Sequence, residues 1–145
     1  MSRVSTYLNF MGKTEDAFRT YASVFGTEIS GEIARMGAMP TASEGQELSE
    51  AEKHLVAHVE LPILGGHVLQ GTDMVESMGM ELRVGNNVTI CLEPDTREET
   101  DRLYGALSEG GSESTGMKQM PWAYWGCTLD RFGIRWMFNC YEPAT

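Results

Sequence analysis

The sequence predicts an α+β chain of two βαβββ modules in tandem, module one over about 1–80 and module two over about 84–145. Three observations carry this. Short segments alternate apolar and polar residues with period two, as strands do. Two longer segments carry one apolar stripe at helical spacing, and each follows a strand. The chain also matches itself at a fixed offset: adding 82 sends Leu8 to Ile90, Phe10 to Leu92, Thr14 to Thr96, Tyr21 to Leu103 and Phe25 to Leu107.

The elements follow in order. "STYLNFMG" reads as a strand closed by glycine. "KTEDAFRTYASVFG" reads as a helix with Thr14 as N-cap, Glu15 and Asp16 in its first turn, a stripe of Ala17, Tyr21, Val24 and Phe25, and Gly26 as its stop. "EISGEIARM" reads as a strand. "GAMPTASEGQELSEAEK" is polar, small and acidic, and reads as a long loop. "HLVAHVELPI" and "GGHVLQGTDM" read as a hairpin. The cycle then repeats. "NNVTICLEP" is a strand. "DTREETDRLYGALSEGG" is a helix, with Thr96 and Glu99 as a capping box and Thr100, Leu103, Tyr104 and Leu107 as its stripe. "SESTGMKQMPW" is an irregular strand, and "AYWGCTL" and "IRWMFNCYE" close as a hairpin across Asp130–Gly133. There the offset falls to 67, placing Gly133 on Gly66. The two offsets differ by 15, about the length of the acidic loop that only module one carries.

A hydrophobic content of 41% and a charged content of 22% suit a chain that buries a core. The formal net charge of −10 repels phosphate backbones and argues against nucleic-acid binding. No apolar run approaches the roughly 20 residues of a membrane span. "MSRVSTYLNF" has no apolar region of the signal-peptide kind, so a cytoplasmic protein is expected. Cys91, Cys127 and Cys140 are far apart, without CxxC spacing, and read as small buried hydrophobes.

Two stretches carry a family resemblance that spans nearly the whole chain. "YLNFMGKTEDAFRTYASVFG" resembles the opening of PhnB-like proteins, and "WGCTLDRFGIRWMFN" resembles their closing hairpin, W-G-x-x-x-D-x-F-G-x-x-W-x-x-N. These proteins are a branch of the vicinal oxygen chelate superfamily, with glyoxalase I, bleomycin-resistance proteins and extradiol dioxygenases. The resemblance implies curved mixed sheets around a cup, with helices on the convex face. The inherited label of such proteins is 3-demethylubiquinone 3-methyltransferase-like. The sequence shows no glycine-rich nucleotide loop after a strand of the kind usual in a methyltransferase using S-adenosylmethionine.

Metal enzymes of the superfamily take four His and Glu ligands from the first and last strands of their modules. The matching positions here are Ser5, Gln70, Asn87 and Met137, none of them an imidazole or a carboxylate, so no metal and no cofactor are expected. His54, Val56, His58 and Glu60 share a strand face by parity, and the two histidines with Glu60 leave open a displaced metal site, which strand spacing disfavours. Parity also gives the residues that would face the cup: Tyr7, Asn9, His58, Glu60, Val68, Gln70, Thr89, Trp125, Cys127, Arg135, Met137, Asn139 and Tyr141. Ile134, Trp136 and Phe138 would instead pack under a helix.

Tyr7, Asn9, His58, Gln70, Trp125, Arg135, Met137 and Asn139 are the candidate ligand-binding residues. Aromatic rings, a thioether and amides suit a flat, partly polar organic molecule. The expected function is therefore a small-molecule binding protein without metal chemistry. The alternative is a lyase, isomerase or dioxygenase with an unconventional metal site, or with acid–base chemistry run by His58, Glu60 or Tyr7. A vestigial site with a role in assembly is a third reading. Open sheet edges also predict a homodimer, with the acidic loop 37–53 reaching toward the partner.

Overall fold

The computed structural model describes residues 1–40 and 47–145. The chain divides into two compact units, Met1–Arg83 and Val84–Thr145. Among the described residues, unit one holds β1 (Thr6–Phe10), α1 (Thr14–Phe25), β2 (Ala34–Arg35), α2 (Glu50–Lys53), β3 (Val56–Pro62) and β4 (Val68–Asp73). Unit two holds β5 (Ile90–Leu92), α3 (Arg97–Ser108), β6 (Lys118–Gln119), β7 (Tyr124–Leu129) and β8 (Arg135–Cys140). The sheet orders are β1-β4-β3-β2 and β5-β8-β7-β6, the same topology twice. In each, the first strand runs parallel to the last and the others pair antiparallel. Among the described residues, no helix is long and apolar enough to cross a membrane.

In unit one the sheet buries one face against α1. Leu8, Phe10, Val59, Leu61 and Leu69 meet Ala17, Phe18 and Tyr21, all at most 7% exposed. The approach is closest at Gly71, where a Cβ would lie 2.5 Å from the Phe18 ring, so only glycine fits there. In unit two, Trp136, Phe138 and Cys140 form the matching face under α3, with the Phe138 ring edge-on to Tyr104 at 5.7 Å. Parity assigns Trp136 and Phe138 to this face, and it holds them. Ile134 lies before β8 and is half-buried.

The differences have physical causes. Thr14 does not cap α1. Lys13 occupies the cap position without a side-chain bond, and Thr14 is a buried first-turn residue. The carboxylate of Asp73, at the end of β4, takes over that role. It accepts from the Thr14 backbone N–H at 3.1 Å and from its hydroxyl at 2.7 Å. "EISGEIARM" forms a regular strand only at Ala34–Arg35; ahead of it Gly31 takes a left-handed φ of 66°, although the Ser30 N–H still donates to the Glu60 carbonyl at 2.8 Å. The acidic segment is not all loop. Ser49 and Glu52 form a reciprocal capping box that starts α2, while residues 41–46 lie outside the described residues. In α3, Thr96 accepts from the Glu99 N–H as expected, but Glu99 turns its carboxylate to Arg102 rather than closing the box. β5 and β6 are shorter than their sequence patterns.

Parity also slips once within β3. His58 and Glu60 lie on the open face, opposite the helix, while Val56 is buried with Val59 and Leu61. The ladder shifts register between Ala34 and Arg35, opposite this point. The irregularity turns Val56 inward, and its N–H donates to Asp73 at 2.9 Å. His54 is not on the strand. It is the exposed C-cap of α2.

Candidate functional site: two open sheet faces

Each unit leaves one sheet face without a covering helix of its own. In unit one that face carries a row across three strands, Tyr7–Gln70–Glu60, fixed by the pairing of Gln70 with both neighbours. Asn9 and Thr72 form the next row. The Tyr7 ring is 47% exposed and lies 6.1 Å from the His58 ring. His58 Nε2 is 3.8 Å from Glu60 Oε2, and Glu60 also holds Arg3 at 3.0 Å. The candidate residues Tyr7, Asn9, His58, Glu60 and Gln70 are therefore brought together on one face. Gln70 Nε2 donates to Ser5 Oγ at 2.7 Å, so the first-strand and last-strand positions that the resemblance equates with ligands touch within this unit.

In unit two, β7 and β8 place Trp125, Cys127 and Leu129 beside Asn139, Met137 and Arg135. The candidates Trp125, Arg135, Met137 and Asn139 share this face, each half-buried. Asn139 is fixed at both ends of its amide. Its oxygen accepts from Trp122 Nε1 at 3.2 Å, and its nitrogen donates to Cys91 Sγ at 3.4 Å. Arg135 is not a free cation for a ligand, because Glu113 holds it at 2.8 Å and the Gly85 carbonyl at 3.0 Å. Glu113 itself sits at φ 52°, a strained conformation for a side chain of its kind, beside the guanidinium it binds. Tyr141 lies beyond β8 and is 60% exposed.

Two of the three cysteines depart from the expected burial. Cys140 is buried under α3, but Cys91 is exposed and Cys127 half-buried, both on the open face. Burial pushes both of those thiols up from the ordinary cysteine value. The other residues that sequence reasoning missed are Trp122 and Glu113. Trp122 lies in the irregular "KQMPW" stretch, where no period marks a face.

Strand pairing also corrects one position. Gln70 pairs with Tyr7, and Ser5 lies two residues before it; Met137 pairs with Cys91, and Thr89 lies two residues before it. Thr89, not Asn87, is thus the counterpart of Ser5. Among the described residues, no group of three or more His, Cys, Asp and Glu side chains is placed to hold a metal ion, and His54 stands apart from His58 and Glu60. On the helix side of unit one, Arg19 and Arg35 line an open hollow of about 340 Å³, but both already grip Glu15.

Residues 2–138 match the family described as 3-demethylubiquinone-9 3-methyltransferase. The chain belongs to that family. No curated protein matches it. Among solved structures, protein PA1353 from Pseudomonas aeruginosa is 27% identical, with a TM-score of 0.82 over 99% of this chain and 100% of that one. A PhnB protein from Bacillus cereus, itself described as a 3-demethylubiquinone-9 3-methyltransferase, is 22% identical. Its TM-score is 0.73 over 96% and 99% of the two chains. A glyoxylase/bleomycin resistance protein/dioxygenase domain from Frankia sp. EAN1pec is 14% identical, with a TM-score of 0.61 over 100% and 96%. The chain is thus a PhnB-like member of the vicinal oxygen chelate superfamily, and its doubled β-α-β-β-β order is that fold. The family's description names methyl transfer. The described residues form two four-stranded sheets, each with a single parallel pair, rather than a doubly wound nucleotide-binding sheet.

Proposed function

We propose that this PhnB-like protein binds a small, flat, partly polar organic molecule in the cytoplasm, as a homodimer and without divalent-metal chemistry. The observation that carries the reading is the open face of unit two. Trp125 offers an aromatic surface, Met137 a pliable apolar contact, and Asn139 an oriented amide. The −10 charge favours a neutral or cationic ligand over an anion, since Arg135 is already neutralised by Glu113.

The test is a fluorescence screen of flat heteroaromatic compounds against the protein and its Trp125→Ala variant. Binding that vanishes in the variant supports the reading. Hits that bind both proteins equally refute it.

One observation favours a second reading, metal-free acid–base chemistry. His58 stands 3.8 Å from Glu60 and beside Tyr7 on the open face of unit one. Turnover of any substrate that disappears in both His58→Gln and Glu60→Gln would select it. Stoichiometric zinc, nickel or iron in freshly purified protein would overturn both readings.

A further inference from the structure

We propose that the row Cys91–Met137–Cys127, on the open face of unit two, binds a soft monovalent cation of the copper(I) type. Met137 pairs with Cys91 on one side and with Cys127 on the other. Paired residues on adjacent strands project to the same face. Two thiols and a thioether therefore stand side by side, and thiolate with thioether is the donor set that selects copper(I) over harder ions. Cys91 is exposed and Cys127 half-buried, so the row is open to solvent.

Spacing favours a bridging ion over a disulfide. Neighbouring strands lie about 4.8 Å apart, which puts the two cysteine Cα atoms roughly 9.5 Å apart. A disulfide fails beyond about 7 Å. Replacing the S–S bond of about 2.0 Å by two metal–sulfur bonds of about 2.3 Å in a near-linear bridge lengthens that reach to roughly 9.6 Å. The thiols thus remain unlinked to each other yet stand at the reach of one ion, with Met137 between them as third donor.

The surroundings agree. The Asn139 amide donates to Cys91 Sγ, orienting it and favouring its thiolate. Burial pushes both thiols up from the ordinary cysteine value. Each thiol that ligates must release its proton to solvent, so affinity rises with pH. The corresponding row of unit one, Tyr7–Gln70–Glu60, contains no sulfur, so the feature is not a by-product of the repeat. The inference does not rest on the organic-ligand reading. Copper binding without any organic ligand leaves it standing, and an organic ligand without copper binding removes it.

The experiment is anaerobic titration of the whole chain with copper(I) buffered by bicinchoninate. One equivalent per chain is expected, with ultraviolet thiolate-to-copper absorption. Cys91→Ser and Cys127→Ser should each weaken binding by at least about 10-fold, since even indirect partners of a metal contribute that much. Met137→Leu should weaken it measurably. Cys140→Ala should leave it unchanged, because that thiol faces α3. Circular dichroism checks that each variant is folded, and exposed Cys91 tolerates serine without loss of core. No copper drawn from the competitor overturns the proposal. So does equal affinity in the folded Cys91→Ser/Cys127→Ser double variant, or an unchanged affinity in Met137→Leu.

Discussion

Asp73→Asn should destabilise unit one by far more than an ordinary polar change. The Asp73 side chain is 3% exposed and ends β4 beneath the first turn of α1. One carboxylate oxygen accepts from the Thr14 N–H and hydroxyl, and the other from the Val56 N–H. All three partners are donors, so the site needs two acceptor oxygens. Asparagine supplies one oxygen and one NH₂. With the amide oxygen toward Thr14, its NH₂ faces the Val56 N–H; flipped, it faces both Thr14 donors. Either way at least one hydrogen bond to a charged acceptor is lost, about 1.5–3 kcal/mol, and a buried donor is left unsatisfied, about 1–3 kcal/mol. The loss of negative charge at a helix N-terminus adds about 0.3–1 kcal/mol. The expected destabilisation is about 3–7 kcal/mol. It should be read as a shift of the urea midpoint by far-ultraviolet circular dichroism with the slope unchanged. Tryptophan fluorescence follows unit two, which holds Trp122, Trp125 and Trp136. A change below about 0.5 kcal/mol, the size expected of an ordinary surface substitution, would refute the hub role of Asp73.

Glu15 gives a pH prediction. Hydrogen bonds from Arg35, and then from Arg19, push its carboxyl down to about 2. The stabilisation is complete above the unfolded carboxyl value of about 4.3 and is lost as pH falls from there toward 2. Glu15 is partly exposed and screened, so Glu15→Gln should lose about 1 kcal/mol at pH 7 and only a small fraction of that near pH 2, measured by urea denaturation at both pH values. Trp136→Ala should lose about 3–5 kcal/mol of stability. That ring is fully buried and donates to Asp130 Oδ2 at 2.8 Å, so iodide should quench Trp125 and leave Trp136 silent. The proposed homodimer, whose copies would each carry −10, should tighten as salt rises; monomer in sedimentation equilibrium at both low and high salt would refute it.

Most of the fold was legible because its signals are local. Period-two alternation in "IRWMFNC" placed Trp136 and Phe138 on one face and Arg135, Met137 and Asn139 on the other. The apolar stripe and Gly26 bounded α1 nearly to the residue. What escaped depends on partners distant in sequence. Thr14 has the chemistry of an N-cap, but nothing local reveals that Asp73, 59 residues on, does the capping. The parity of β3 fails because an irregularity at its edge pairing reverses Val56, which no alternation count detects. Arg135 reads as a cation for a ligand until Glu113, 22 residues away, is seen to hold it. Cys140 is buried as expected, but Cys91 is not: composition favours burial for Cys, while exposure is decided by which strand face each one shares, which parity used for Cys127 and not for Cys91.

The repeat is strongest in topology and weakest at the positions that chemistry would use. Both units close β-α-β-β-β with the first strand parallel to the last, yet a single sequence offset misplaces the pairing by two residues, so that Thr89 answers to Ser5. An even slip keeps every side chain on its own face. The core therefore survives it: Leu92 stays buried as Leu8 and Phe10 do. The open face does not survive it unchanged, because the slip alters which residues stand side by side. It sets Cys91, rather than Thr89, against Met137 and opposite Cys127. Two modules with one fold thus present different chemistry, an acid–amide–phenol row in one and a sulfur row in the other, without any cost to the packing that makes each of them fold.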